Sequence, residues 1–91
     1  MIGWRSRYNK RDGNEPLIIA ALAACGVVWV EAGPLDGWVW LHRRWVPVEI
    51  KNGRKGLTKG QKEFVAACEH DGRDYRIWRS VEDVLRDVEA V

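Results

Sequence analysis

The chain has 91 residues and a mass of 10.5 kDa, room for one domain and no more. With 46% hydrophobic and 31% charged residues, three prolines and a mean hydropathy of −0.37, its composition excludes a disordered tail, a collagen-like fibre and a membrane bundle. The net charge of +2 hides four alternating blocks: +3 over residues 1–13, −3 over 14–42, +6 over 43–62 and −4 over 63–91. Cys25 and Cys68 are too few and too far apart for a disulfide framework or a CxxC metal knuckle, and they read as reduced thiols in a cytoplasmic protein. A chain this small buries only about 60–65% of its unfolded surface, so a homodimer is expected.

Residues 1–13 form a basic arm containing Trp4, and residues 14–91 form the single domain. Asn14 is a plausible N-cap, followed by Glu15 and Pro16 in the first turn, where a carboxylate suits the helix dipole and proline costs little. The helix runs to about Cys25 and stops at Gly26. It is apolar all round, which predicts cover on both faces. The apolar run Leu17–Val30 is too short to span a bilayer. Leu22-Ala23-Ala24-Cys25 resembles a lipoprotein cleavage box, but only eight apolar residues precede the cysteine, so a buried helix accounts for it better.

Val27–Glu31 is β-branched and aromatic and predicts a buried strand. Gly37–His42 and Trp45–Lys51 predict two more, joined by a tight turn at Arg43-Arg44. Pro47 sits awkwardly there, because proline belongs on edge strands or at bulges. Asn52–Leu57 is a glycine- and lysine-rich loop. Thr58-Lys59-Gly60-Gln61 is a capping-box pattern opening a helix to about His70, with Phe64, Val65 and Cys68 inward. Tyr75–Trp78 is a short strand. Ser80 caps a last helix whose Val81, Val84, Leu85 and Val88 share one face. Trp38 and Trp40 also share a face, which a helix or a second subunit must cover.

Alternation along Trp45–Lys51 puts Val46, Val48 and Ile50 on one side and Trp45, Pro47, Glu49 and Lys51 on the other. A carboxylate and an ammonium side by side on a rigid strand can bind a metal and stabilise an anionic transition state together. Asp36 precedes the partner strand, so a tight hairpin brings its carboxylate near Glu49. Two carboxylates, a main-chain carbonyl and waters suit Mg²⁺ or Mn²⁺. Each residue also has a plainer explanation. Gln61 can be the capping partner of Thr58, Glu15 a dipole-compensating residue, and Asp36 a turn former before Gly37. His42 and His70 have no partner at ligand spacing.

The α-β-β-β-α-β order with R-D-G-N-E-P, G-P-L-D, V-E-I-K-N-G, L-T-K-G-Q and W-R-S-V-E-D-V-L resembles the PD-(D/E)XK nuclease superfamily, in particular its small stand-alone VRR-NUC (virus-type replication-repair nuclease) members. The resemblance runs from about Arg11 to Val91. It implies an α/β, minimal restriction-endonuclease-like fold: an α-β-β-β-α-β core with a mixed four-stranded sheet, followed by a C-terminal helix. It also implies a metal-dependent DNA endonuclease of a bacterial or phage-infected cell, acting on branched DNA such as Holliday junctions. Asp36 and Glu49 would then be metal ligands, with the Ile50 carbonyl a third and Glu15 reaching the metal through water. Lys51 would be the catalytic lysine, and Gln61 would orient water or phosphate. Leu35, standing between Pro34 and Asp36, departs from the family pattern, as do Pro47 within the third strand and a hairpin turn of two arginines.

The basic strip of Arg43, Arg44, Arg54, Lys55, Lys59 and Lys62 flanks this pocket in sequence and suits a phosphodiester backbone in a sequence-independent, salt-sensitive way. Two rival readings are a non-catalytic nucleic-acid-binding module with a degenerate nuclease fold and a Trp-rich protein-interaction domain.

Overall fold

A computed structural model describes residues 13–89, so the expected basic arm lies outside the described residues but for Gly13. Its elements are α1 (Glu15–Ala24), β1 (Trp29–Val30), β2 (Gly37–Leu41), β3 (Arg44–Ile50), α2 (Lys59–His70), β4 (Arg76–Trp78) and α3 (Val81–Glu89). The protein is a small α/β domain with three helices and a mixed four-stranded sheet in the order β1-β2-β3-β4. The β1–β2 and β2–β3 pairs are antiparallel and β3–β4 is parallel. Among the described residues no helix is long and apolar enough to cross a membrane. Both cysteines are free, Cys25 exposed and Cys68 buried.

The core lies on one sheet face. Val39 and Leu41 of β2 and Val46, Val48 and Ile50 of β3 pack with Ile18 and Leu22 of α1, Trp78 of β4 and Val84 of α3. Fully burying a side chain of this kind is worth about 1.5–3 kcal/mol, so this layer dominates the stability. α1 and α3 contact each other over it. Gly37 has no room for a side chain, because a Cβ there would lie 2.5 Å from the Trp29 ring and 2.7 Å from the Val30 carbonyl oxygen.

Four expectations need correction. α1 is not covered all round: Ile18 and Leu22 are buried while Leu17 is 62% exposed, since the helix lies on only one face of a four-stranded sheet. The strand expected over Val27–Glu31 shortens to Trp29–Val30 at the sheet edge, with Val28 and Val30 exposed, because among the described residues β2 alone pairs with it. The hairpin turn is His42-Arg43 rather than Arg43-Arg44. Leu41 pairs with Arg44, and the two residues between adopt φ of 54° and 69°, as a two-residue turn matching the strand twist requires. The fourth concerns Pro47, which lies within a central strand.

The ladder explains how β3 accepts that proline. Trp40 N–H donates to the Val28 carbonyl, so alternate β2 residues, Trp38 included, turn their amides toward β1. Trp38 opposite Pro47 is therefore a pair that exchanges no hydrogen bonds. On its other side Pro47 precedes the first β3–β4 partners, Val48 and Arg76. No ladder bond is lost.

α2 lies over the second sheet face. Its capping box is formed as expected: Gln61 N–H donates to Thr58 Oγ1 at 3.2 Å and Thr58 N–H to Gln61 Oε1 at 2.8 Å. Ser80 caps α3 through the Asp83 amide. Asn14 does not cap α1 with its side chain, which is engaged elsewhere.

Candidate active site

The sheet's antiparallel register carries Asp36 to the C-terminal end of β3. The amide of Ile50 points toward β2, but it lies beyond the last β2 partner, Gly37 opposite Val48. The Asp36 side chain takes the vacant place: Ile50 N–H donates to Asp36 Oδ2 at 2.8 Å. Asp36 N–H in turn donates to the Val48 carbonyl at 3.0 Å. The carboxylate thus completes the hairpin ladder beside Glu49.

Glu49 and Lys51 project from the face opposite the core, as alternation predicts, and both are buried. Lys51 Nζ stands 3.4 Å from Glu49 Oε2. Lys51 N–H donates to the Trp78 carbonyl, so the extended backbone continues past Ile50 and keeps the two side chains on one face. Gln61 Nε2 donates to the same Oε2 at 2.8 Å. Gln61 thus fills the capping role with Oε1 while its Nε2 reaches Glu49. Glu49 Oε1 is buried and has no hydrogen-bond partner among the described residues. Burial, and then the Asp36 charge, push the Glu49 carboxyl up to about 7, against the opposing pull of the Lys51 charge and hydrogen bond and of the Asp36 backbone.

Helix α1 reaches the site through Asn14. Its Nδ2 donates to the Lys51 carbonyl at 2.8 Å and to the Arg79 carbonyl at 2.7 Å, clipping the helix start onto the ends of β3 and β4. That places Glu15, itself buried, beside the end of β3. Asn14 Oδ1 is a second buried acceptor without a partner among the described residues. Arg79 donates to the carbonyls of Gly53 and Lys55 and so holds the Asn52–Leu57 loop against this end of the sheet. Sequence reasoning missed the roles of Asn14 and Arg79. Their partners lie 24 to 65 residues away, and no local signal could have found them.

The basic strip divides. Arg54 and Lys55 are exposed in the loop that Arg79 holds, and Lys59 and Lys62 are exposed at the start of α2, the helix that carries Gln61. Arg44 stands at the opposite end of β3, about 17 Å from Glu49 at the usual strand rise, and Arg43 lies in the turn beyond it. Arg44 is paired with Asp74 at 2.8 Å. Burial would raise the Asp74 carboxyl, but hydrogen bonds from Arg44 and Arg76 outweigh it and hold it below its ordinary range.

Oxygen donors of the kind a hard divalent cation takes stand at the Glu49 end of β3. Asp36 keeps one carboxylate oxygen beyond the Ile50 amide, Glu49 offers a buried oxygen without a partner, and the Ile50 carbonyl is adjacent in sequence. No three His, Cys, Asp or Glu side chains converge into a metal cage among the described residues. Mg²⁺ and Mn²⁺ seldom use one, taking one or two carboxylates and completing their shell with water and substrate phosphate. No protein-family model matches the chain, and neither a curated protein nor a solved structure matches it.

Proposed function

We propose that the protein is a Mg²⁺- or Mn²⁺-dependent DNA endonuclease of restriction-endonuclease-like fold that hydrolyses phosphodiester bonds in branched DNA, four-way junctions included. The observation that carries this reading is the meeting of Asp36, Glu49, Lys51 and Gln61 at one end of β3, with a buried Glu49 oxygen awaiting a partner. Asp36, Glu49 and the Ile50 carbonyl would hold the ion, with Glu15 reaching it through water. When bound, the ion supplies positive charge to the reacting phosphate and makes water a better nucleophile.

The chain's own residues do the rest. Lys51, buried and held by the β4 ladder, offers a fixed positive charge to the phosphate as negative charge develops on it. Gln61 has a second amide proton with which to orient water or a phosphate oxygen once Nε2 has engaged Glu49. Arg54, Lys55, Lys59 and Lys62 meet the backbone of the substrate. Contacts of that kind bind any sequence and weaken steeply with salt. A homodimer would present two such sites related by a two-fold axis, suited to paired cuts.

The test is incubation of the full chain with labelled four-way junction, flap and linear duplex DNA, in Mn²⁺ and in EDTA. Metal-dependent cutting that both Glu49→Ala and Lys51→Ala abolish is the expected result. Salt-sensitive binding without cleavage in any metal would replace the enzyme with a nucleic-acid-binding module. Absence of binding at low salt would leave the protein-interaction reading.

A further inference from the structure

The second sheet face holds a groove of about 580 Å³ between β2–β3 and the C-terminal half of α2. Trp38, Trp45 and Pro47 form its sheet wall and Phe64 and Cys68 its helix wall. Gln61 ties the first turn of α2 to Glu49, and the groove lies along the helix beyond that tie. Trp45 is 46% exposed and packs edge-on against Trp40, ring centroids 5.3 Å apart.

We infer that this groove binds an unpaired nucleobase, or two, of the DNA strand that runs through the candidate active site, stacking them on Trp45 and Trp38. The inference rests on the nuclease reading for the identity of the strand, and three observations carry it. Trp45, Pro47, Glu49 and Lys51 alternate along one face, so the groove's sheet wall leads along β3 toward the proposed chemistry, Pro47 standing two residues before Glu49. The rim carries both signs, Arg44 and Arg73 against Asp71 and Asp74. Arg44 and Asp74 are paired with each other at 2.8 Å, so the rim offers a phosphate no bare cation there, whereas a base edge, with donors and acceptors together, suits a rim of mixed charge. Trp45 is also 46% exposed where it lines the groove, which leaves ring surface for a stacking partner. Every base has a π-face, so the stacking is tolerant of sequence. The substrate class narrows to DNA with unpaired bases beside the cut, as at flaps and frayed junctions.

Binding in EDTA separates this inference from the cleavage it rests on. The full chain is titrated into an end-labelled oligothymidylate and into an abasic oligomer of equal length and charge, and anisotropy is followed. The wild type is expected to prefer the oligothymidylate at least about fivefold. Trp45→Ala should lose that preference, Trp45→Phe should keep most of it, and Trp40→Ala should keep it. Trp40 is as exposed as Trp45 but does not line the groove, and either truncation breaks the Trp40–Trp45 pair. Equal loss in both alanine variants would therefore assign the effect to packing and overturn the inference. Equal wild-type affinity for the two oligomers would overturn it outright. So would a Trp45→Ala chain that keeps the preference but changes sedimentation from dimer to monomer, since the occupant would then be a second copy. Mn²⁺-dependent cleavage without base preference sinks the groove alone, and base preference without cleavage sinks the enzyme alone.

Discussion

Replacing Glu49 by glutamine should stabilise the protein at neutral pH. The Glu49 side chain is 4% exposed, and burial together with the Asp36 charge raises its carboxyl from an ordinary 4.5 to about 7. Between those two values the folded chain holds a proton that the unfolded chain has released, so stability falls as pH rises through the window. The fall amounts to about 3 kcal/mol once the group is ionised in both states. Glutamine imitates the protonated acid: its carbonyl can still accept from Gln61, and Lys51 already stands beside a neutral Glu49 below the window. Wild type and Glu49→Gln should therefore unfold alike near pH 4.5 and diverge by about 3 kcal/mol near pH 8, the variant being the more stable. For a domain of this size that is roughly 10–20 °C in melting temperature. Urea unfolding in EDTA, followed by tryptophan fluorescence across this range, measures the difference directly. Parallel pH profiles for the two proteins would refute the reasoning.

Three further outcomes follow from the fold. Gly37→Ala drives a Cβ into the Trp29 ring and the Val30 carbonyl, and should destabilise by about 1–3 kcal/mol in urea unfolding. Arg43→Gly relieves a left-handed backbone at φ 69° and should stabilise by about 1 kcal/mol, read as a rise of several degrees in melting temperature. Thr58→Ala removes the hydroxyl of the capping box and should cost about 1 kcal/mol. Because Gln61 bridges that cap to Glu49, Thr58→Ala should also slow Mn²⁺-dependent cleavage, and Thr58→Ser should restore it.

The parts of the molecule legible in the sequence are those set by local period. Alternation along Trp45–Lys51 separated Val46, Val48 and Ile50 from Glu49 and Lys51, and the buried pair stands where that pattern puts it. The same holds for the Thr58–Gln61 cap and for the inward face of α3. What escaped is what depends on the order of strands. Leu17 and Val30 carry no mark that distinguishes an exposed apolar residue from a buried one, and only the edge position of β1 and the single covered face of α1 expose them. Pro47 read as misplaced because its amide direction, set by the pairing of Trp40 with Val28, is a property of the assembled sheet. Arg43 and Arg44 are close to Glu49 in sequence but a full strand length away in space, because an extended strand separates residues that a helix or turn would gather.

The two-residue hairpin turn has a consequence well beyond its own geometry. Surface turns ordinarily tolerate insertions, but this one is a ruler. Its length fixes which residue of β3 faces Leu41, and the strand period of two then decides which side chains enter the core. One added residue, taken up as a slip in register, would turn Val46, Val48 and Ile50 outward and drive Glu49 and Lys51 into the apolar layer. His42 and Arg43 can therefore vary in kind but not in number, and the candidate site at the far end of the strand depends on a loop that touches none of it.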